Sequence, residues 1–236
     1  MARPRILIMG GTSGIGLHAA KKLSEQYDVV IAGRRVVEVE PPIKYIGIDV
    51  LNERSVEGGF EELKTEGADL AGLVYSTGIT TKRLSIEEFN YEEWQTLFNT
   101  NLTGAILCLK YAYPMLKAAK GRVVLVNSFA ARTYSQFSGF QYTTSKAALT
   151  GLARQLAVDW APDEILVNSL YPSMTKTPML EENVDSEFLA KIESTIPLRR
   201  IASQNEVTAA IEFLLSSSNT YMTGCGLDLN GGLFLN

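Results

Sequence analysis

The sequence predicts an α/β fold, a doubly wound and mostly parallel sheet of about seven strands with helices on both faces. Two observations lead to this prediction. Short apolar runs, which are typical of buried strands, alternate with helical segments along all 236 residues. A cluster of glycines follows the first run, at the sheet edge where such folds bind ligands. No internal repeat or low-complexity tract interrupts the pattern, so residues 1–236 are expected to form one domain.

The opening segment has the pattern of a strand, a tight loop and a helix. The apolar run from Arg5 to Met9 precedes glycines at positions 10, 14 and 16, and apolar residues follow at 17, 20 and 23. Glycines let peptide N–H groups and the positive end of a helix approach a pyrophosphate. The spacing G-x-x-x-G-x-G departs from G-x-G-x-x-G, so this loop alone is also compatible with an ordinary glycine-rich turn.

Two arginines follow the second predicted strand, Asp28–Gly33. Position 34 lies 20 residues beyond Gly14, where an acidic residue would hold the ribose 2′-hydroxyl of NAD and an arginine would accept the 2′-phosphate of NADP. A guanidinium binds phosphate in bidentate fashion, so Arg34 and Arg35 favour NADP. Alternatively, either arginine stacks on adenine or faces solvent. The segment after Arg35 is short, so the part of the site that would bind adenine is more open. NAD therefore stays an alternative to NADP.

The remaining elements follow in alternation. About ten residues separate the second strand from the third, which is too few for a crossover helix, so none is expected there. Ser85 begins a capping box before a long helix. The polar segment of about 177–200 is expected to be a mobile cover over a cleft. The other predicted elements are strand Tyr45–Val50, helix Ser55–Glu66, strand Leu70–Tyr75, a helix from Tyr91 onward, strand Arg122–Ser128, helix Gln141–Trp160, strand Ile165–Tyr171, helix Gln204–Ser216 and strand Leu227–Leu229.

One part of the long helix, Ala105–Tyr113, is apolar on nearly every face apart from Lys110. A helix that is apolar all round is buried on both sides. We interpret this stretch as an interface of a homo-oligomer, a dimer or a tetramer. A crowded core within one chain is the alternative explanation.

The composition and net charge limit the types of binding partner and of site chemistry that we expect. A net charge of −4 and a pI near 5.2 give no reason to expect nucleic acid or an anionic membrane, so a small molecule is the expected partner. We expect a cytoplasmic protein, because we find neither a signal peptide nor a membrane-spanning run. Cys108, Cys225 and the single histidine, His18, cannot form a disulfide framework or a metal site, and His18 is expected on a helix surface.

Tyr142 and Lys146 stand four residues apart on a predicted helix, so their side chains share a face. An ammonium near a phenol favours the phenolate and is expected to lower the pKa of Tyr142 from about 10 toward working pH. Tyr142 would then be a usable acid or base. Because chance produces this spacing in many helices, the pair alone is also compatible with two inert side chains.

Several motifs together resemble the short-chain dehydrogenase/reductase family. They occur in the order that is typical of this family, and they extend over essentially the whole chain. Segments 196–201 and 221–224 are most similar to its 3-oxoacyl-[acyl-carrier-protein] reductase-like members. The motifs are the glycine loop, Ser76-Thr77-Gly78, Asn101 in Asn-Leu-Thr-Gly, Ser128 after the fifth strand, Tyr142-x-x-x-Lys146, Pro172 to Thr177 and Asn230-Gly231-Gly232. The resemblance implies a Rossmann-type fold.

The resemblance also implies roles for single residues. Tyr142 would be the general acid toward a carbonyl oxygen, or the base in reverse, and Lys146 would lower its pKa and bind the nicotinamide ribose. Ser128 would hold the substrate oxygen and Asn101 a relay water. The implied cofactor-binding residues are Gly10, Thr12, Ser13, Gly14, Ile15, Gly16, Arg34, Arg35, Asp49, Val50, Ser76, Thr77, Gly78, Tyr142, Lys146, Pro172, Thr175 and Thr177. Plainer roles are a helix-bending Asn101 and a strand-end cap at Ser128.

Some positions depart from the family pattern. Met9 replaces a threonine, Tyr75-Ser76-Thr77-Gly78 replaces Asn-Asn-Ala-Gly, and Ser173 replaces a glycine. The first two changes predict a less rigid loop. The resemblance implies an NADP(H)-preferring oxidoreductase that interconverts a small carbonyl and a secondary alcohol. An NAD-dependent alcohol or polyol dehydrogenase and a non-catalytic NAD(P)-binding sensor are the alternatives.

Overall fold

A parallel sheet of seven strands runs through the part of the chain that the structure describes. That structure is a computed structural model, and it describes residues 3–67, 69–177, 180 and 186–235. The strands are β1 (Arg5–Met9), β2 (Asp28–Gly33), β3 (Lys44–Gly47), β4 (Leu70–Tyr75), β5 (Arg122–Val126), β6 (Leu166–Pro172) and β7 (Gly226–Leu229). Their spatial order is β3-β2-β1-β4-β5-β6-β7, and every neighbouring pair is parallel. The order reverses between β1 and β4, which opens a crevice at their carboxyl ends.

Helices cover both faces of this sheet. They are α1 (Gly14–Leu23), α2 (Glu53–Thr65), α3 (Tyr91–Phe98), α4 (Gly104–Ala119), α5 (Gly139–Asp159), α6 (Ser186–Thr195) and α7 (Gln204–Leu215). A π turn, Asn99–Thr103, joins α3 to α4, so the long helix expected from Tyr91 is interrupted. No helix in the described residues is long and apolar enough to cross a membrane.

The core has two layers because side chains alternate across each strand. In β1, Leu7 packs into the layer under α2, α4 and α5, whereas Ile6 packs into the layer under α1 and α7. Both side chains are at most 1% exposed. This arrangement confirms the predicted doubly wound α/β sheet.

Most predicted elements are found, with differences at their ends. The described residues between β2 and β3 contain no helix, as predicted, and β4 has the predicted bounds. The third strand, predicted to reach Val50, ends at Gly47, because its pairing with β2 ends at the Gly33–Gly47 pair. After the amide of Ile48 bonds to the Gly33 carbonyl at 3.2 Å, the chain turns away from β2.

Three single residues also have a definite place. Cys108 is buried, Cys225 is exposed, and both are free thiols. His18, which was expected on a helix surface, is half-buried, and its Nδ1 lies 2.9 Å from Thr208 Oγ1 on α7. The expectation was wrong because α1 packs directly against α7.

The apolar stretch Ala105–Tyr113 is only partly explained by the core of one chain. Its buried residues are Ala105, Cys108, Leu109 and Ala112. Tyr111 stacks on Phe60 of α2 at 6.4 Å between ring centroids, whereas Ile106 remains 44% exposed. Packing within the chain therefore covers most of this stretch and leaves Ile106 open, and the oligomer interface stays a prediction.

Candidate active site

The glycine loop forms an opening that suits an anion at the start of α1. Gly10 and Gly14 have φ of +78° and +52°, which favours glycine. A Cβ at Gly16 would overlap the Gly10 carbonyl oxygen, whereas a Cβ at Gly14 would meet open space. Ser13 makes no side-chain cap bond, and the first turn contains no acidic residue. The first N–H groups of α1 therefore remain available to a phosphate.

This loop lies directly against the end of β4, as the sequence predicts. A Cβ on Gly10 would come within 2.7 Å of the Thr77 amide nitrogen, and the Ser76 amide bonds to the Met9 carbonyl at 2.9 Å. Thr12 packs on Gly33 at the end of β2, where a Cβ would lie 2.9 Å from Thr12 Cγ2. The loop thus connects the ends of β2 and β4.

Two exposed arginines lie in the part of the site that is predicted to bind the adenosine half of the cofactor. Arg34 is 64% exposed, and its Nε lies 3.9 Å from Asp49 Oδ1. Arg35 is also exposed. The Val50 side chain is buried against the region of Gly104, so Val50 offers its main chain, not its side chain, to a ligand. A phosphate with charge −2 placed here would compete with Asp49 for Arg34.

Lys146 reaches the carboxyl end of the sheet from α5. Its Nζ donates to the Val126 carbonyl at 3.1 Å. Burial lowers the pKa of Lys146 to about 8. A Cβ at Gly78 would lie 3.4 Å from this Nζ and 3.5 Å from Asn101 Oδ1, so both side chains pack against Gly78 in the loop after β4.

Asn101 is fully buried in the π turn and holds two other parts of the site together. Its Oδ1 accepts from the Ile79 amide at 2.8 Å, and its Nδ2 donates to the Ile79 carbonyl at 3.0 Å. The same Nδ2 lies 3.0 Å from Ser145 Oγ, between Tyr142 and Lys146 on α5. Asn101 therefore connects the loop after β4 to α5, which a merely helix-bending residue would not do.

Tyr142 lies beside Ser128 at the carboxyl edge of the sheet, where the Ser128 hydroxyl acts to lower the pKa of the phenol. Ser128 Oγ also accepts from the Ala130 amide at 3.1 Å, so the strand-end cap that the sequence left as an alternative is present as well. The two roles are compatible because a hydroxyl both accepts and donates. Ser128 thus has a fixed oxygen beside the Tyr142 phenol.

The expected lowering of the Tyr142 pKa by Lys146 is not found. Burial raises the pKa of Tyr142 above 10, and the hydrogen bond from Ser128 offsets only part of this rise. Lys146 Nζ lies 5.8 Å from the Tyr142 ring centroid and donates to Val126 instead. The prediction was wrong because spacing along a helix does not reveal how strongly a side chain is desolvated.

Sequence reasoning missed a positioning group beside Ser128. Asn127 is buried, and its Oδ1 accepts from the Ser128 amide at 2.9 Å while its Nδ2 donates to Thr150 Oγ1 at 3.0 Å. Tyr171 donates to the same Thr150 hydroxyl at 3.0 Å. A polar Thr150 one turn after Lys146, on a buried helix face, is the sequence signal from which this network could have been found.

The segment after β6 continues along the same edge. Pro172 is buried, and Thr175 Oγ1 donates to the Ser173 carbonyl at 3.1 Å. Thr177 accepts a main-chain bond from Leu180 at 2.9 Å. Residues 178–179 and 181–185 of the predicted cover lie outside the described residues.

Comparisons with known proteins support this geometry. The family model described as Enoyl-(Acyl carrier protein) reductase matches residues 10–234. Protein FixR of Bradyrhizobium diazoefficiens is 33% identical, over 98% of this chain and 87% of its own length. The 3-oxoacyl-[acyl-carrier-protein] reductase FabG of Aquifex aeolicus is 32% identical, over 97% and 96%.

Solved structures are similar over almost the full length. ElxO with NADP bound superposes with a TM-score of 0.91 at 27% identity and covers 98% of both chains. The Pseudomonas aeruginosa RhlG/NADP active-site complex superposes with a TM-score of 0.92 at 25% identity, over 100% of this chain and 98% of that one.

Proposed function

The chain belongs to the short-chain dehydrogenase/reductase family, and from this premise we propose that it is an NADP(H)-preferring oxidoreductase that interconverts a carbonyl and a secondary alcohol. The proposal rests mainly on one observation. Ser128, Tyr142, Lys146 and Asn101 meet at the carboxyl edge of the sheet, and the loop after β4 connects them to the glycine loop. This is the arrangement that proton transfer beside a bound nicotinamide requires.

The residues at this edge fit a dinucleotide. The free N–H groups at the start of α1 would hold the pyrophosphate, and Arg34 with Arg35 would hold the 2′-phosphate of NADP. Lys146 would bind the nicotinamide ribose, and Thr175 with Thr177 the carboxamide. When bound, NADPH supplies the hydride. The similar structures of ElxO and of RhlG, both complexes with NADP, support this choice of cofactor.

The chain itself supplies the proton. Because burial raises its pKa, Tyr142 is protonated at neutral pH and can donate to a carbonyl oxygen. The Ser128 hydroxyl would bind the same oxygen and stabilise the negative charge that develops on it. In the reverse direction the Tyr142 phenolate would accept the proton from the alcohol.

The proposal includes a small carbonyl or alcohol as substrate, a cytoplasmic location and a homo-oligomer. Relatives named as reductases of 3-oxoacyl thioesters and of acetoacetyl-CoA place β-keto thioesters first among the substrates to test. Two free thiols are usual for a reducing compartment. The exposed Ile106 on α4 supports contact with a second copy.

Replacement of the phenol tests the proposal directly. A screen of ketones, β-keto thioesters, sugars and quinones, with NADPH and with NADH, should identify a substrate by the loss of reduced nicotinamide. Tyr142→Phe should then lower kcat about 10²- to 10⁴-fold and leave NADPH binding nearly intact. Tyr134→Phe, which removes an exposed hydroxyl from the loop just before α5, is the control. Tight cofactor binding with no reduction of any substrate would instead indicate a sensor.

A further inference from the structure

Tyr75, the last residue of β4, makes a buried hydrogen bond to the turn that carries Asn101. Its side chain is 0% exposed, and its Oη donates to the Thr100 carbonyl at 2.6 Å. The sequence has this tyrosine where the family has an asparagine. A larger side chain at this position therefore reaches across to a neighbouring element.

The π turn explains why the Thr100 carbonyl accepts this bond. In a continuous α-helix, the Gly104 amide would donate to the Thr100 carbonyl, four residues earlier. Here the Gly104 amide donates to the Asn99 carbonyl, five residues earlier. The Thr100 carbonyl loses its helical partner inside the protein, where an unpaired carbonyl is costly. The Tyr75 hydroxyl takes the place of that partner.

Gly104 provides the space for the Tyr75 hydroxyl. A Cβ at Gly104 would lie 2.8 Å from Tyr75 Oη and 2.8 Å from Val50 Cβ. An ordinary side chain at 104 would therefore push the hydroxyl away from the Thr100 carbonyl. The tyrosine, the glycine and the π turn form one packed unit.

We propose that Tyr75 is a positioning residue that acts through Asn101. By completing the hydrogen bonding of the π turn, it fixes the rotation of the next residue, Asn101, toward Ile79 and Ser145. Its effect on catalysis rests on the proposed function, in which Asn101 supports the proton relay beside Lys146. Its effect on the placement of Asn101 does not depend on that function.

Tyr75→Phe removes only the hydroxyl. We expect kcat to fall about tenfold, with KM for NADPH unchanged, because Asn101 is displaced while the glycine loop is not. Tyr113→Phe is the matched control, since it removes a hydroxyl bound to Asp163, away from the glycine loop. Gly104→Ala, which crowds the Tyr75 hydroxyl, should lower kcat in the same way. It is the variant to test if Tyr75→Phe does not fold.

A double-mutant cycle separates positioning from general stability. In an Asn101→Ala background, Tyr75→Phe should leave the residual kcat unchanged, although it still lowers the melting temperature. Independent, multiplying losses of kcat in the two variants would overturn the proposal, since Tyr75 would then not act through Asn101.

Hydrogen exchange gives a readout without turnover. The Ile79 amide donates to Asn101 Oδ1, so it should exchange about tenfold faster in Tyr75→Phe and at the normal rate in Tyr113→Phe. If the wild type has no reductase activity but Ile79 exchange responds in this way, the positioning inference stands while the proposed function fails. Unchanged exchange at Ile79 together with unchanged kcat would overturn the inference itself.

Discussion

The ammonium of Lys146 donates to the main-chain carbonyl of Val126 at 3.1 Å, two residues before Ser128. This bond ties α5 to the end of β5, so the lysine and the serine keep a fixed separation. No carboxylate in the described part of the chain pairs with this buried cation, and burial lowers the pKa of Lys146 to about 8. The site thus holds a buried positive charge that destabilises the fold and that the proposed function uses.

Lys146→Met should abolish turnover and stabilise the fold at neutral pH. Below about pH 8 the lysine is protonated in both folded and unfolded chains, so the folded chain bears the full cost of the buried charge. We expect a gain of roughly 1–2 kcal/mol at pH 7, or about 2–6 °C in melting temperature. Thermal unfolding followed by circular dichroism measures it.

The same variant has a pH signature. Above about pH 8 the folded chain releases the Lys146 proton before the unfolded chain does, since the unfolded pKa is 10.5. The stability of the wild type should therefore rise relative to Lys146→Met between pH 8 and pH 10. Lys82→Met, which removes an exposed charge, should show no such convergence. A constant difference across this range would show that burial does not perturb Lys146.

Ser128→Ala should affect both rate and pH dependence. The loss of one donor to the developing negative charge is expected to lower kcat about 10²- to 10³-fold. The Ser128 hydrogen bond also lowers the pKa of Tyr142, so its removal raises that pKa further. In the alcohol-oxidation direction, which needs the phenolate, the rise in rate with pH should move to higher pH. Ser128→Thr keeps the hydroxyl and should keep the wild-type profile, and an unmoved profile in Ser128→Ala would contradict the assignment.

The sequence was sufficient for the parts of the site that depend on local pattern. Apolar runs and glycines predicted the sheet, the glycine loop and the turn after β4, because these follow from side-chain size and periodicity over a few residues. Ser128 and Tyr142, 14 residues apart in sequence, were expected together from the family resemblance, and the structure places them side by side.

The remaining features depend on contacts between distant elements. A helix-bending Asn101 was one alternative from the sequence, but the π turn at Asn99–Thr103 is completed by Tyr75, which lies 25 residues before Thr100. The raised pKa of Tyr142 likewise follows from desolvation by several elements at once. The Asn127–Thr150 bond was missed although Thr150 is a polar residue on a buried helix face, because only the packing of α5 against the end of β5 brings Thr150 to Asn127.

Arg34 and Arg35 should determine the choice between NADPH and NADH. The 2′-phosphate is expected to draw Arg34 from its 3.9 Å approach to Asp49 into a bidentate contact. Each of Arg34→Ala and Arg35→Ala should lower the ratio of kcat/KM for NADPH over NADH by roughly 10- to 100-fold, as for loss of a charge-assisted hydrogen bond. Arg154→Ala, an exposed arginine near Gly224, is the control. If NADH is preferred and neither change matters, the phosphate assignment fails.

Ile106 tests the predicted oligomer. It is 44% exposed on α4, within a stretch whose other apolar residues are largely covered by the chain itself. A glutamate at an interface between copies would bury a charge, so Ile106→Glu should shift the mass in solution toward the monomer. Size-exclusion chromatography with light scattering measures that mass. Ile86→Glu, at an isoleucine that is 71% exposed before α3, is the matched control and should keep the wild-type mass.

A monomeric wild type would remove the oligomer from the proposal. An oligomer that withstands Ile106→Glu would place its interface elsewhere on the chain.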